Sequence, residues 1–230
     1  AAGDPNDSFF SAEQWNLRSI RAPEAYNIPV DPSDQILAIL DTGANLTHED
    51  LTSKIISGYD FVNSDGDPTD DNGHGSLVSG IAAAETNNAK GIAGVCPDCR
   101  IMPVKVLNIN QSGSVSNVAR GIEYAVDNGA DVINLSLGVP YHSPTLRNAI
   151  DHAVSSNIPV VAAVGNNDSS ILYPAKYPNV IAVAATNRSG LRAPYSNQGT
   201  EIDIAAPGGE YAAGEAIIST ASGHDSDYKG

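Results

Sequence analysis

The chain has 230 residues, 41% apolar and 17% charged, enough for one large core in a single α/β domain over residues 1–230. A net charge of -15 at pH 7 argues against nucleic acid or an anionic membrane as partner. No apolar run is long enough to span a bilayer, and no basic stretch precedes an apolar one at the start, so Ala1 reads as a processed N-terminus.

In chain order, apolar runs predict strands over 35–40, 54–61, 100–107, 131–135, 158–164, 180–185 and 201–205. Most are continuous Val/Ile/Ala/Leu runs, the pattern of parallel strands buried on both faces. Between them, small residues after His74 (Leu77 to Ala84) read as a buried helix. Val115, Val118, Ala119, Ile122, Ala125 and Val126 recur at helical spacing up to Asn128-Gly129, a C-terminal signal. Ser143-Pro144 opens another helix, with Leu146, Ile150, Ala153 and Val154 on one face. Alternating strands and helices imply a three-layer, doubly wound, mainly parallel sheet with helices on both faces.

Three polar residues stand at the ends of these elements. Asp41 closes the run Ile36-Leu37-Ala38-Ile39-Leu40, at the carboxyl end where open α/β sheets place their sites. His74 opens its helix between two glycines, which would hold a general base in one place. Asn166 follows Val161-Ala162-Ala163-Val164-Gly165, where a side-chain amide can donate to a developing oxyanion. Singly, each also reads as an ordinary turn residue; together they point to acid–base chemistry. The only cysteines, Cys96 and Cys99, read as a disulfide clip of an exported protein, with a redox pair or half a zinc site as the alternatives.

The order Asp, His, Asn resembles that of the subtilisin-like serine proteases. The likeness runs along the chain: Pro5-Asn6-Asp7-Ser8-Phe9-Phe10, Thr47-His48-Glu49-Asp50-Leu51, Val132-Ile133-Asn134-Leu135-Ser136-Leu137-Gly138, Tyr173-Pro174-Ala175-Lys176-Tyr177-Pro178 and Ala205-Ala206-Pro207-Gly208 all match family blocks. The start is similar to that of the thermitase-type branch.

The resemblance implies a secreted endopeptidase with an Asp-His-Ser triad and an acyl-enzyme intermediate. Asp41 would orient His74, His74 would serve as base, and Asn166 would hold the oxyanion. Ser136, Leu137 and Gly138, with Ala163, Val164 and Gly165, would wall the pocket beside the scissile bond. Ser112, Gly113 and Ser114 would form the edge strand that pairs with an extended peptide substrate. An inhibitory propeptide belongs to the same picture.

Two Ca2+ sites are implied as well. One takes Asp7, Asp50 and Asn88 with the carbonyls of Glu85, Lys90 and Ile92; the other takes Asp60, Asn63, Asp65, Asp67 and Thr69. Oxygen donors in tight loops suit a hard cation.

The family's serine has no match in the chain. Gly230 would be the first residue of the family's Gly-Thr-Ser-Met-Ala, so the nucleophile is expected on a further C-terminal segment. Ser76, Ser219, Ser222 and Ser226 read as structural or loop residues. The family's second helix histidine is Leu77 here, and Leu172 stands near the pocket floor. A peptide-binding pseudoprotease and a processing fragment are the alternatives to a working peptidase.

Overall fold

Residues on β1 (Ile36–Asp41) alternate between two cores, which fixes the layering. Ala38 and Leu40 join Met102 and Val104 in a core shared with Val118, Ile122 and Ile150. Leu37 and Ile39 turn the other way, onto Val78, Ala82 and Ala83. The computed structural model describes residues 4–221 and 228–229.

Seven strands form one parallel sheet: β1, β2 (Tyr59–Asp60), β3 (Arg100–Lys105), β4 (Val132–Leu135), β5 (Val160–Ala163), β6 (Val180–Thr186) and β7 (Ile204–Pro207), in the order β2-β3-β1-β4-β5-β6-β7. Helices α5 (Val115–Asp127) and α6 (Pro144–Ser155) cover one face. Helix α4 (His74–Ala83) lies on the other, against β1 and β3. The three-layer α/β architecture expected from the sequence is therefore present.

Three details differ from the sequence reading. The run 54–61 is not one strand: only Tyr59–Asp60 pairs continuously, and Ile55 makes an isolated bridge to Ile101. Pro103 has no N–H for a ladder, and Gly58 lies so close to it that a β-carbon there would sit 1.9 Å from the Pro103 carbonyl oxygen. Next, the strands β4 to β6 are buried on one face only. Ile133, Leu135, Val160, Ala162, Val180 and Ala182 are buried, whereas Val132, Asn134, Val161, Ala163 and Val183 are half-buried and Ile181 is exposed.

The third difference lies near the N-terminus, where α1 (Phe10–Glu13), α2 (Trp15–Ser19) and α3 (Ala22–Ala25) are too short to show a helical period. Buried Gln14 joins them to the loop before Cys96: its amide nitrogen donates to the Ala93 carbonyl (2.8 Å), and its oxygen accepts from the Ala93 N–H (2.8 Å).

Helix α4 carries small residues where other chain segments run close beside it. A β-carbon on Gly75 would lie 2.0 Å from the Gly43 carbonyl oxygen. The ribbon strand Ser219–Thr220, antiparallel to Tyr228–Lys229, lies along the same helix. Beyond the helix, the sulfurs of Cys96 and Cys99 are at bonding distance, 1.95 Å.

Candidate active site

Asp41 is the last residue of β1, fully buried between β3 and β4. Its Oδ1 accepts from the Thr42 N–H (2.7 Å) and lies 2.7 Å from His74 Nδ1. Its Oδ2 is buried with no hydrogen-bond partner among the described residues. With Nδ1–H committed to Asp41, the neutral ring of His74 carries its acceptor lone pair on Nε2. The hydrogen bond to Asp41 holds the imidazole above its ordinary value; burial opposes this, and the charges of Asp41 and Asp70 assist it.

The fixed relation of these two side chains depends on a residue that sequence reasoning passed over. Asp70 is buried. One of its oxygens accepts from Thr42 Oγ1 (2.8 Å) and from the N–H groups of Asn72 and Gly73 (2.9 Å each). The other accepts from the N–H (2.9 Å) and Oγ (2.6 Å) of Ser76. Burial alone would raise this carboxyl, but the bonds from Ser76, Gly73 and Asn72 prevail and hold it below the usual carboxylate range. Thr42 Oγ1 in turn accepts from the Gly75 N–H (2.9 Å), so the turn after β1 and the start of α4 share one network. An Asp ahead of a glycine and a helix start was the available signal.

His74 lines a cavity of about 380 Å3 together with Leu107, Ser112, Gly113 and Tyr173. Ser136, Leu137, Gly138 and Asn166 border it too. A second cavity, about 320 Å3, shares Ser136 and Asn166 and is bordered by Ala163, Val164 and Gly165. The structure thus brings Asp41, His74, Asn166 and the segments 136–138 and 163–165 to one end of the sheet. Leu172 packs between the walls: β-carbons placed on Gly138 and Gly165 would lie 2.9 and 2.8 Å from its side chain.

Ser112, Gly113 and Ser114 are exposed beside the cavity but form no strand. They are a loop leading into α5, and Ser114 caps that helix, its side chain accepting from the Asn117 N–H (3.0 Å). With no ladder partner on either side, the segment has nothing to make it a strand.

Asn166 is exposed, and its loop is held from below by a second residue the sequence did not disclose. Asn197, fully buried, donates to the carbonyls of Val164 (3.1 Å) and Ser170 (2.9 Å) and accepts from the N–H groups of Asn167 (2.9 Å) and Ser169 (3.0 Å).

Neither described serine from the candidate set is placed as a nucleophile. Ser76 Oγ is bonded to Asp70, and Ser219 Oγ donates to the Leu77 carbonyl (2.6 Å); both residues are fully buried. Ser222 and Ser226 lie outside the described residues.

The two candidate calcium sets differ. Buried Asp7 accepts from the N–H groups of Asn87 (3.0 Å) and Asn88 (3.4 Å), and buried Asp50 accepts from the Asn88 amide (2.7 Å) and the Ile92 N–H (3.0 Å). The loop with Glu85 and Lys90 therefore closes around two carboxylates. Burial raises the Asp7 carboxyl, with the neighbouring Asp50 charge adding to it against the bonds from Asn87 and Asn88. A hard cation fits such a pair, because it would offset charges that burial penalises.

In the loop 60–69, by contrast, each carboxylate closes its own turn. Asp60 accepts from the Val62 and Asn63 N–H groups and the Asn63 amide, Asp65 from the Asp67 N–H, and Asp67 from Thr69. Among the described residues no three His, Cys, Asp or Glu side chains gather as a metal cluster.

Comparison with known proteins agrees with this geometry. Residues 33–230 match the subtilase (Peptidase S8) family. The chain is 47% identical to a thermophilic serine proteinase of Bacillus sp. (strain AK1) over 97% of its own length, and spans 55% of that relative. It is 44% identical to thermitase of Thermoactinomyces vulgaris, covering 89% of this chain and 73% of thermitase. Among solved structures, a protease from Pseudoalteromonas arctica PAMC 21717 superposes with a TM-score of 0.89 at 33% identity, over 99% of this chain and 80% of that one. On the family match, the collinear sequence and the shared fold, the chain belongs to the subtilase family of serine proteases.

Proposed function

We propose that this chain is the Asp-His part of a secreted serine endopeptidase whose nucleophile lies on a segment beyond residue 230. The observation that carries the proposal is the 2.7 Å Asp41–His74 bond at the edge of a cavity shared with Asn166. His74 Nε2 takes the proton of the serine hydroxyl as its oxygen attacks the peptide carbonyl carbon. Asp41 stabilises the imidazolium that forms, and the Asn166 amide with a backbone N–H holds the oxyanion. In subtilisin an amide in this role contributes roughly 2.7–4 kcal/mol. His74 then returns the proton to the leaving amine, and an acyl-enzyme remains. Water, deprotonated by the same His74, attacks the acyl carbon; the serine oxygen leaves, takes the proton back from His74, and the second product is released.

A peptide running along Ser112-Gly113-Ser114 and Ser136-Leu137-Gly138 would meet both sides of the cavity. An inhibitory propeptide would use the same cleft. The half-covered face of β4 to β6, with the cavity beside Asn166, supports docking of the serine-bearing segment there. Asp7, Asp50 and Asn88, with the carbonyls of Glu85, Lys90 and Ile92, would hold Ca2+, whose charge would offset that of the buried carboxylates. The bonded Cys96–Cys99 pair and the acidic surface suit export.

The test is hydrolysis of a peptide p-nitroanilide by the protein carrying that segment. His74→Ala is expected to lower kcat by about 10^4-fold or more, from the behaviour of triads that act as a unit. Unchanged turnover in the variant would refute the assignment.

A further inference from the structure

Lys105, the last residue of β3, lies beside Asp41 in the parallel register, and its side chain is 1% exposed. An ammonium group removed from water needs a partner for each N–H. Here they are the Thr42 carbonyl (2.7 Å), the Leu107 carbonyl (3.0 Å) and Asp71 Oδ1 (2.6 Å). Each partner belongs to a different part of the site. Thr42 follows Asp41, Asp71 sits in the turn that opens α4 just before His74, and Leu107 lines the cavity with His74. An apolar side chain of similar length would fill the space but would leave two carbonyls without this donor and the turn untied. Asp70 links Thr42 to α4 from one carboxylate; Lys105 links Thr42 to the preceding turn through a separate bond.

We propose that Lys105 is a positioning residue of the Asp41–His74 pair: its ammonium ties the exit of β1 to the turn before α4 and so keeps Asp41 and His74 at bonding distance. The inference rests on reading the pair as a base and its orienting carboxylate. Its test, however, reads the pair directly and needs no peptide cleavage.

The experiment is an NMR titration of His74, assigned by loss of its signals in His74→Gln, with the folded state checked by circular dichroism. Asp41 and Asp70 are the charged groups that act on the ring, and Asp71 faces Lys105 itself. In Lys105→Met, loss of a nearby cation would by itself raise the His74 pKa. Loosening of the Asp41 bond would lower it and would weaken the low-field Nδ1–H resonance. A fall, with loss of that resonance, is expected; a rise or no change overturns the proposal.

Should Lys105→Met fail to fold, Asp71→Asn and Asp71→Ala decide, because Asp71 is largely at the surface (44% exposed). Both remove the same charge, but only Asn keeps an acceptor for Lys105. The Ala variant is expected to titrate below the Asn variant and to lose the Nδ1–H signal. Identical titrations would overturn the proposal. Absence of peptide cleavage by the unsubstituted protein carrying the further segment, with the His74 titrations shifted as expected, would count against the peptidase reading and leave the role of Lys105 standing.

Discussion

At Asp41 and His74, sequence position and chemistry coincide, since each ends or opens a regular element and so has little freedom. Because the hydrogen bond to Asp41 raises the His74 pKa, the ring remains protonated to a higher pH than an ordinary imidazole, whose value is about 6.5. Two consequences follow with definite sign. The stability gained by protonated His74 is fully present below about pH 6.5 and is lost as pH rises through the higher folded value. The base is competent only once neutral, so the rising limb of kcat/KM is expected to have its midpoint above about 6.5. Asp41→Asn should move that midpoint down and reduce kcat; a midpoint unaffected by the substitution would contradict the pairing. The placement of Asp41, His74 and Asn166 was legible because Asp41 and Asn166 follow apolar runs and His74 opens a helix, in a recognisable order. Asp70 and Asn197 were not, because they act by collecting N–H groups and carbonyls from neighbouring turns, a task that leaves no periodic trace.

Among the elements, α4 shows how much composition can conceal. Its glycines and serines read as a buried helix, which is correct, but the reason for Gly75 is visible only when β1 and α4 are side by side. Gly75→Ala would press a methyl group into the Gly43 carbonyl. The helix must then shift away from the strand exit that carries Asp41. Overpacking of this kind costs about 1–3 kcal/mol, and here it also separates the pair. Denaturant unfolding should show the loss, and the His74 titration should fall towards the ordinary value. A variant with unchanged stability and titration would show that the close approach is unimportant. The strands were legible through their apolar runs, whereas the break in 54–61 depends on Pro103 of a different strand. The short helices from Phe10 to Ala25 depend on packing against Ala93.

For the molecule as a whole, two features reach beyond the visible pair. Buried Asp7 and Asp50 join the N-terminal segment, the loop near Leu51 and the loop after α4. Calcium binding there would stabilise the native state by roughly 2.7 kcal/mol at a hundredfold excess over Kd, a rise in Tm of several degrees for a chain of this size. Thermal melts in calcium and in chelator should differ by that amount, and Asp50→Asn should abolish the difference; coincident melts would remove the site. The second feature is the sheet face beside Asn166, where Ile181 and Ile204 are exposed. Apolar surface of this kind suits docking of the proposed segment, and neither described candidate serine, Ser76 or Ser219, is placed as a nucleophile. The most direct test is labelling with a serine-directed phosphonate, followed by mass-spectrometric mapping of the adduct, in this chain alone and in the protein carrying the further segment. The predicted result is no adduct on residues 1–230 and one His74-dependent adduct on a serine of the added segment. An adduct on Ser76, Ser219 or any other serine of this chain, or none in either protein, would contradict it.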